Sequence, residues 1–263
     1  MHMLDRPVWA SLTTQHAPLS EGNELARRFV PDVNLFASAS DDSPAALAAL
    51  SSLVKPGESV FLLQVPDIVM PPGLVEVKVA KGVQMIAART APARDTPDWG
   101  TGSRTSGNAS SDKGIPASPG RVAARRGTVN RDTAASDIVE LGDEDAPEML
   151  ALATLTEPGP FLTRTHRMGN FIGIRLEGRL AAMAGERMRF PGYTEVSGVC
   201  THPDFRGRGL ARRLSAAVMA AIVARGEQPF LHAWRSNQAA ISLYESLGFE
   251  LRTEVNVAVL TKP

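Results

Sequence analysis

Cysteine is almost missing from this chain of 263 residues; Cys200 is the single one. One thiol excludes an internal disulfide and a cysteine-built zinc cluster, so no metal site is expected and a reducing compartment, the cytoplasm, is the natural setting. Net charge is missing too, 28 basic side chains balancing 28 acidic ones, which argues against nucleic acid or an anionic membrane as the default partner. No apolar run approaches the length of a spanning helix, and the opening residues Met1 to Pro7 hold no signal-peptide core. What is present is an ordinary globular composition, 43% apolar and 21% charged, sufficient to bury a core.

Two familiar phosphate signatures are also absent. The stretch Arg206-Gly207-Arg208-Gly209 is followed by no Lys-Ser or Lys-Thr pair, as a P-loop requires, and it lacks the three spaced glycines of a dinucleotide fold. It is nonetheless suited to an oxyanion. Residues 199–211 read as a strand that turns through a basic glycine loop into a helix, with Leu210, Leu214, Val218 and Ile222 at helical spacing and Gly226 at the C-terminal cap. The first turn of a helix carries unpaired N–H groups and the positive end of the dipole. Glycines let phosphate oxygens approach that backbone, and within 202–213 the arginines 206, 208, 212 and 213 face only Asp204.

Periodicity organises the rest. Helices are expected at Glu21 to Phe29 and, capped by Ser43, at Pro44 to Leu53; strands are expected at 59–65, 75–79 and 83–88. Residues 95–137 change to Ser, Thr, Gly, Pro, Asp, Asn and Arg, the composition of a flexible linker. Beyond it come a strand at 138–141, a helix at 143–152, and three strands at 170–176, 178–190 and 193–201 joined by Glu177-Gly178 and Pro191-Gly192 turns. A buried strand at 229–233 precedes a helix opened by Asn237, carrying Ala240, Ile241, Tyr244 and Leu247, and closed by Gly248. The expected organisation is a small α/β domain over 1–94, a linker over 95–137, and a second domain over 138–263.

The spacing Arg-x-x-Gly-x-Ala, filled by Arg206, Gly209 and Ala211, resembles the acyl-CoA pyrophosphate loop of the GNAT acetyltransferase superfamily. The series Asn237-x-x-Ala240-x-x-x-Tyr244-x-x-x-Gly248-Phe249 resembles a second pattern common there. The resemblance covers 138–263. Within it, Thr194 to Thr201 and Val255 to Leu260 look most like the branch of glycine N-acyltransferase-like proteins, which often carries a degenerate GNAT-like half in front. It implies an α/β (α+β) fold, a mixed central sheet with flanking helices in which the strand before the phosphate loop splays from its neighbour. It also implies an N-acetyltransferase, a monomer or homodimer, that moves an acetyl group from the co-substrate acetyl-CoA to a primary amine of a small molecule or amino acid in a ternary complex. A non-catalytic acyl-CoA sensor and an interaction module are the alternatives.

The resemblance also assigns roles. Backbone groups of Arg206, Gly207, Arg208, Gly209, Leu210 and Ala211 would hold the diphosphate, and those of Val199, Cys200 and Thr201 the pantetheine arm, with an N–H near Val199 as oxyanion donor. Asn237 and Ala240 would border the coenzyme, although an asparagine there is equally a helix cap. An alkylammonium is only about one part in a thousand neutral at pH 7, so a proton acceptor is needed. Glu195 fills that place or is a solvated strand carboxylate; Glu186 is the second candidate, and His202 belongs to the loop surface. Tyr244 is either a core side chain or the donor to the departing thiolate. Cys200 reads as a small buried hydrophobe rather than an acyl carrier. The acceptor pocket is expected around Phe161 and Arg164, with Arg164, Arg167 and Arg175 available to an acceptor carboxylate.

Overall fold

A computed structural model describes residues 2–88 and 137–263. The expected linker over 95–137 lies outside the described residues, Asp137 excepted. The chain begins with α1 (Pro7–Leu12), a small antiparallel sheet of β1 (Ser20–Gly22), β2 (Ala26–Phe29) and β3 (Ala37–Ala39), then α2 (Pro44–Leu53), β4 (Ser59–Gln64) and β5 (Val75–Ala87). After the gap come β6 (Ile138–Leu141), α3 (Ala146–Thr156), β7 (Phe171–Leu176), β8 (Arg179–Phe190) and β9 (Tyr193–Thr201). The last elements are α4 (Leu210–Ala224), β10 (Gln228–Trp234), α5 (Gln238–Glu245) and β11 (Phe249–Thr261).

Eight strands make one mixed sheet in the order β4-β11-β5-β10-β9-β8-β7-β6. Only β9 and β10 run parallel; the other neighbours are antiparallel. Strand β5, from the first ninety residues, lies between β10 and β11, so residues of 1–94 and 138–263 share this sheet. Helix α4 covers one face with Leu210, Leu214, Val218 and Ile222, one residue per turn, all buried. The other face meets Leu4, Val8 and Phe29 through Phe190, Phe230 and Val255.

The sequence and the structure differ in the first segment. The helix expected over Glu21 to Phe29 is a hairpin of β1 and β2, because the Asn23 side chain accepts from the N–H groups of Leu25 and Ala26 and turns the chain there. The strands expected at 75–79 and 83–88 are one strand, β5. The helix expected from Asp143 starts as a 3-10 turn over Asp143–Asp145 and becomes α-helical at Ala146. Helix α2 begins as expected, with Ser43 Oγ accepting from Ala46 N at 3.3 Å.

Candidate active site

The parallel ladder of β9 and β10 stops early. Tyr193, Thr194 and Glu195 pair with Gln228, Pro229 and Phe230, and no pair follows although both strands continue to Thr201 and Trp234. The strands therefore splay, leaving backbone edges open along Val199 to Thr201. A bulge sharpens this: β9 spends one residue more than β8 between the pairs Met183–Cys200 and Gly185–Ser197. Gly198, at φ +62°, occupies the bulge, with the Phe171 ring where a Cβ would fall.

The fork leads into the glycine loop. Gly207 and Gly209 have φ of +75° and +72°, Gly209 is the N-cap of α4, and no side chain caps the helix. Residues 206–209 are exposed, and open space surrounds both glycines where a side chain would stand. Leu210 buries its side chain in the core while its backbone stays in the first turn, and Ala211 is half-buried behind it. Arg206 and Arg208 make no ion pair among the described residues, whereas Arg213 pairs with Asp137 at 2.5 Å. The loop thus has the free backbone N–H groups and the positive charge that would suit an anion.

A cavity of about 150 Å³ runs through the splay. Val199, Ala233, Asn237, Ala240 and Tyr244 line it on the side of α5, and His232 and Trp234 line it where β10 leaves the fork. Asn237 has both of its expected functions within reach: its Oδ1 caps α5 by accepting from Ala240 N at 3.1 Å, and the residue borders the cavity. Tyr244 is buried against Phe249, and its hydroxyl has no hydrogen-bond partner among the described residues. Burial, reinforced by the charge of Glu195, pushes its phenol up to about 12, so it stays protonated through neutral pH.

Glu195 is not solvated. Its side chain is fully buried at the fork, with Arg187 donating to both carboxylate oxygens at 2.6 and 2.8 Å, Met188 N donating at 3.3 Å, and His232 Nδ1 lying 2.7 Å from Oε1. Arg187 reaches this place through a second bulge, where β8 spends an extra residue between Glu186–Val196 and Arg189–Thr194. Burial by itself would raise the Glu195 carboxyl; the charge and hydrogen bonds of Arg187, helped by His232, more than reverse this and hold it at about 2. Arg252 donates to Gln84 Oε1 at 2.8 Å, so the Gln84 amide points its nitrogen at Leu4 O and at His232 Nε2, 2.9 and 3.0 Å away. Nε2 of His232 thus accepts, and the ring proton sits on Nδ1 facing Glu195.

The remaining candidates fall elsewhere. Glu186 is buried in a 2.8 Å pair with Arg225 and does not line the cavity. His202 caps a surface turn by accepting from Asp204 N. Cys200 is buried, and burial raises its thiol to about 11, the state of an inert side chain. Phe161 lines a small adjoining pocket with Arg187 and Phe171. The three arginines expected to await an acceptor carboxylate do not: Arg164 pairs with Asp32, Arg167 with Asp143, and Arg175 with Asp145 and Glu148, all away from the cavity. The arginine at the cavity is Arg187. Its signal in the sequence is Glu186-Arg187 following the apolar run Leu180 to Ala184 on one strand; His232 offers none, because its partners lie on β5 and β9.

With this geometry in view, comparison with known proteins is direct. The sequence pattern of the FR47-like protein family matches residues 171–258. The chain is similar over its whole length, at 41% identity and a TM-score of 0.79, to all of a crystal structure from Novosphingobium aromaticivorans assigned to the GNAT family of acetyltransferases. It shares the fold, at 16% identity and a TM-score of 0.56, with a GCN5-related N-acetyltransferase from Kribbella flavida, covering all of this chain and 96% of that one. The chain belongs to the GNAT family of acetyltransferases. It is also 36% identical over 84 residues to the N-alpha-acetyltransferase RimI of Mycobacterium tuberculosis; that match spans 31% of this chain and about half, 52%, of the length of the curated relative. Among the described residues no helix is long and apolar enough to cross a membrane.

Proposed function

We propose that the protein transfers the acetyl group of acetyl-CoA directly to a primary amine of a small molecule or amino acid. The observation that carries this is the parallel ladder breaking after Glu195–Phe230, which opens a cleft lined by Val199 and Tyr244 beside the strand that runs on to the uncapped, glycine-bearing N-terminus of α4. Backbone groups of residues 206–211 would hold the diphosphate, and Val199, Cys200 and Thr201 would pair with the pantetheine arm as an added strand does. Asn237 and Ala240 border that arm. Acetyl-CoA supplies the activated carbonyl; the residues position it, accept a proton from the amine and return one to the thiolate.

Glu195 alone, at about 2, is too acidic to keep a proton from an ammonium. We assign proton acceptance to the Glu195–His232 pair, directly or through water, with Glu195 supplying the charge and orientation and His232 the imidazole. A proton arriving at Nε2 displaces the Gln84 hydrogen bond. Tyr244, still a phenol at neutral pH, donates to sulfur as the thioester breaks. A backbone N–H near Val199, beside the extra residue of β9, would donate to the developing oxyanion.

Along the chain, residues 138–263 hold the coenzyme, residues 1–94 complete the acceptor side, and 95–137 joins them. The FR47-like match spans 194–201 and the first four residues of 255–260, the stretches on which we place the protein beside the glycine N-acyltransferase-like branch. The mycobacterial relative is named for N-alpha-acetylation, which makes peptide α-amines a second class to assay. The deciding experiment is thiol release from acetyl-CoA against amino acids, arylalkylamines, polyamines, aminoglycosides and short peptides. Turnover with one class supports the proposal; acetyl-CoA binding without turnover on any class identifies a sensor instead. No stabilisation of the protein by acetyl-CoA leaves an interaction module.

A further inference from the structure

The cavity joins the two faces of the sheet, and the face opposite α5 is built differently. There its walls are Phe36, Phe61, Leu63, Val255 and Val257, three of them supplied by the first ninety residues. Strand register explains the arrangement: Trp234, Gly82 and Val255 stand in one cross-strand row, and Leu63 pairs with Val257 in the row beyond. Gly82 leaves the floor low; a Cβ there would lie 3.1 Å from Val255 Cγ2. Phe36 and Phe61 meet edge to face at 6.0 Å, and the Arg187 guanidinium lies over Phe36 at 4.9 Å.

The charge of this chamber is already settled. Arg187 is neutralised by Glu195, and the carboxylate on the lining, among the described residues, is the exposed Glu157 at the rim. A polycation needs several carboxylates to replace its water, and these walls do not supply them. They suit an apolar body: the walls on this face are aliphatic and aromatic, and the whole cleft measures only about 150 Å³, so the part beyond the coenzyme arm admits a compact group.

We infer that the acceptor is a singly charged primary amine carrying a compact aromatic or branched aliphatic group, seated among Phe36, Phe61, Leu63, Val255 and Val257 with its nitrogen toward the fork. This rests on the acetyltransferase reading of the cleft. Calorimetry on the full chain saturated with CoA tests it, using 2-phenylethylamine, spermidine and kanamycin as probes. The expected result is that 2-phenylethylamine binds about tenfold or more tightly than either polycation, and that Leu63→Phe, which fills the chamber, weakens it by a similar factor while CoA affinity is unchanged. Phe61→Ala, at a half-buried position, is the second variant and is expected to shift preference toward 2-naphthylethylamine. Tighter binding of spermidine or kanamycin, no binding of 2-phenylethylamine, or indifference to both substitutions overturns the inference. Absence of heat with CoA itself overturns the acetyltransferase reading; binding of CoA without 2-phenylethylamine overturns the acceptor class alone.

Discussion

Arg187 and Glu195 tie β8 to β9 by two parallel hydrogen bonds of 2.6 and 2.8 Å, with the carboxylate fully buried and the guanidinium nearly so. The pair stands at the last rung of the β9–β10 ladder, where the cleft opens. It is thus both a structural joint and the electrostatic floor of the site.

Removing one partner strands the other in a low-dielectric interior, so Glu195→Gln is expected to destabilise by roughly 3–5 kcal/mol in urea unfolding at pH 7. Acid sharpens the test. Glu195 titrates at about 2 when folded against an ordinary 4.5, so the unfolded chain takes up the proton first on acidification. Its stabilisation is complete above pH 4.5 and disappears as pH falls toward 2. Wild type should lose stability more steeply than Glu195→Gln across that interval; parallel curves would mean the pair does not hold the fork.

Tyr244→Phe deletes one oxygen and keeps the ring packed on Phe249. If the phenol donates to the thiolate, kcat falls about a hundredfold while the heat of acetyl-CoA binding stays the same. With the phenol at about 12, its deprotonation leaves the rate untouched up to pH 10. Unchanged kcat would remove Tyr244 from the chemistry.

Gly209→Val probes the phosphate loop. A β-branched residue at φ +72° costs about 1–2 kcal/mol and tilts the first amides of α4, although open space surrounds the position. Acetyl-CoA affinity should fall tenfold or more by calorimetry, while the unliganded melting temperature drops by about 2–8 °C. Equal affinity would relocate the diphosphate.

Arg164→Ala and Arg175→Ala each break partly exposed ion pairs. Each is expected to change stability by less than about 1 kcal/mol and to leave KM for amino acid acceptors unaltered. A large rise in KM would return these arginines to the acceptor site.

What could be read from the sequence was what neighbouring residues encode. The Gly207 to Ala211 turn, the Asn237 cap and the stripe of α4 depend on residues a few positions apart, and each stands where its spacing put it. The cluster of Arg187, Glu195, His232 and Gln84 joins four strands, two of them separated by about a hundred residues, so no local pattern announces it. The Glu21 to Phe29 segment misled because Leu25, Ala26 and Phe29 suit either period, and the decision fell to Asn23. Arg164, Arg167 and Arg175 were indistinguishable from binding arginines until Asp32, Asp143, Asp145 and Glu148 came into place beside them.

The central position of β5 has a cost during synthesis. Both of its neighbours, β10 and β11, are translated more than a hundred residues after it, so a valine-rich segment leaves the ribosome long before anything can pair with it. Closing the sheet requires residues 59–87 to meet residues 228–261, a loop-closure step that slows folding and exposes the nascent chain to self-association until β11 has emerged.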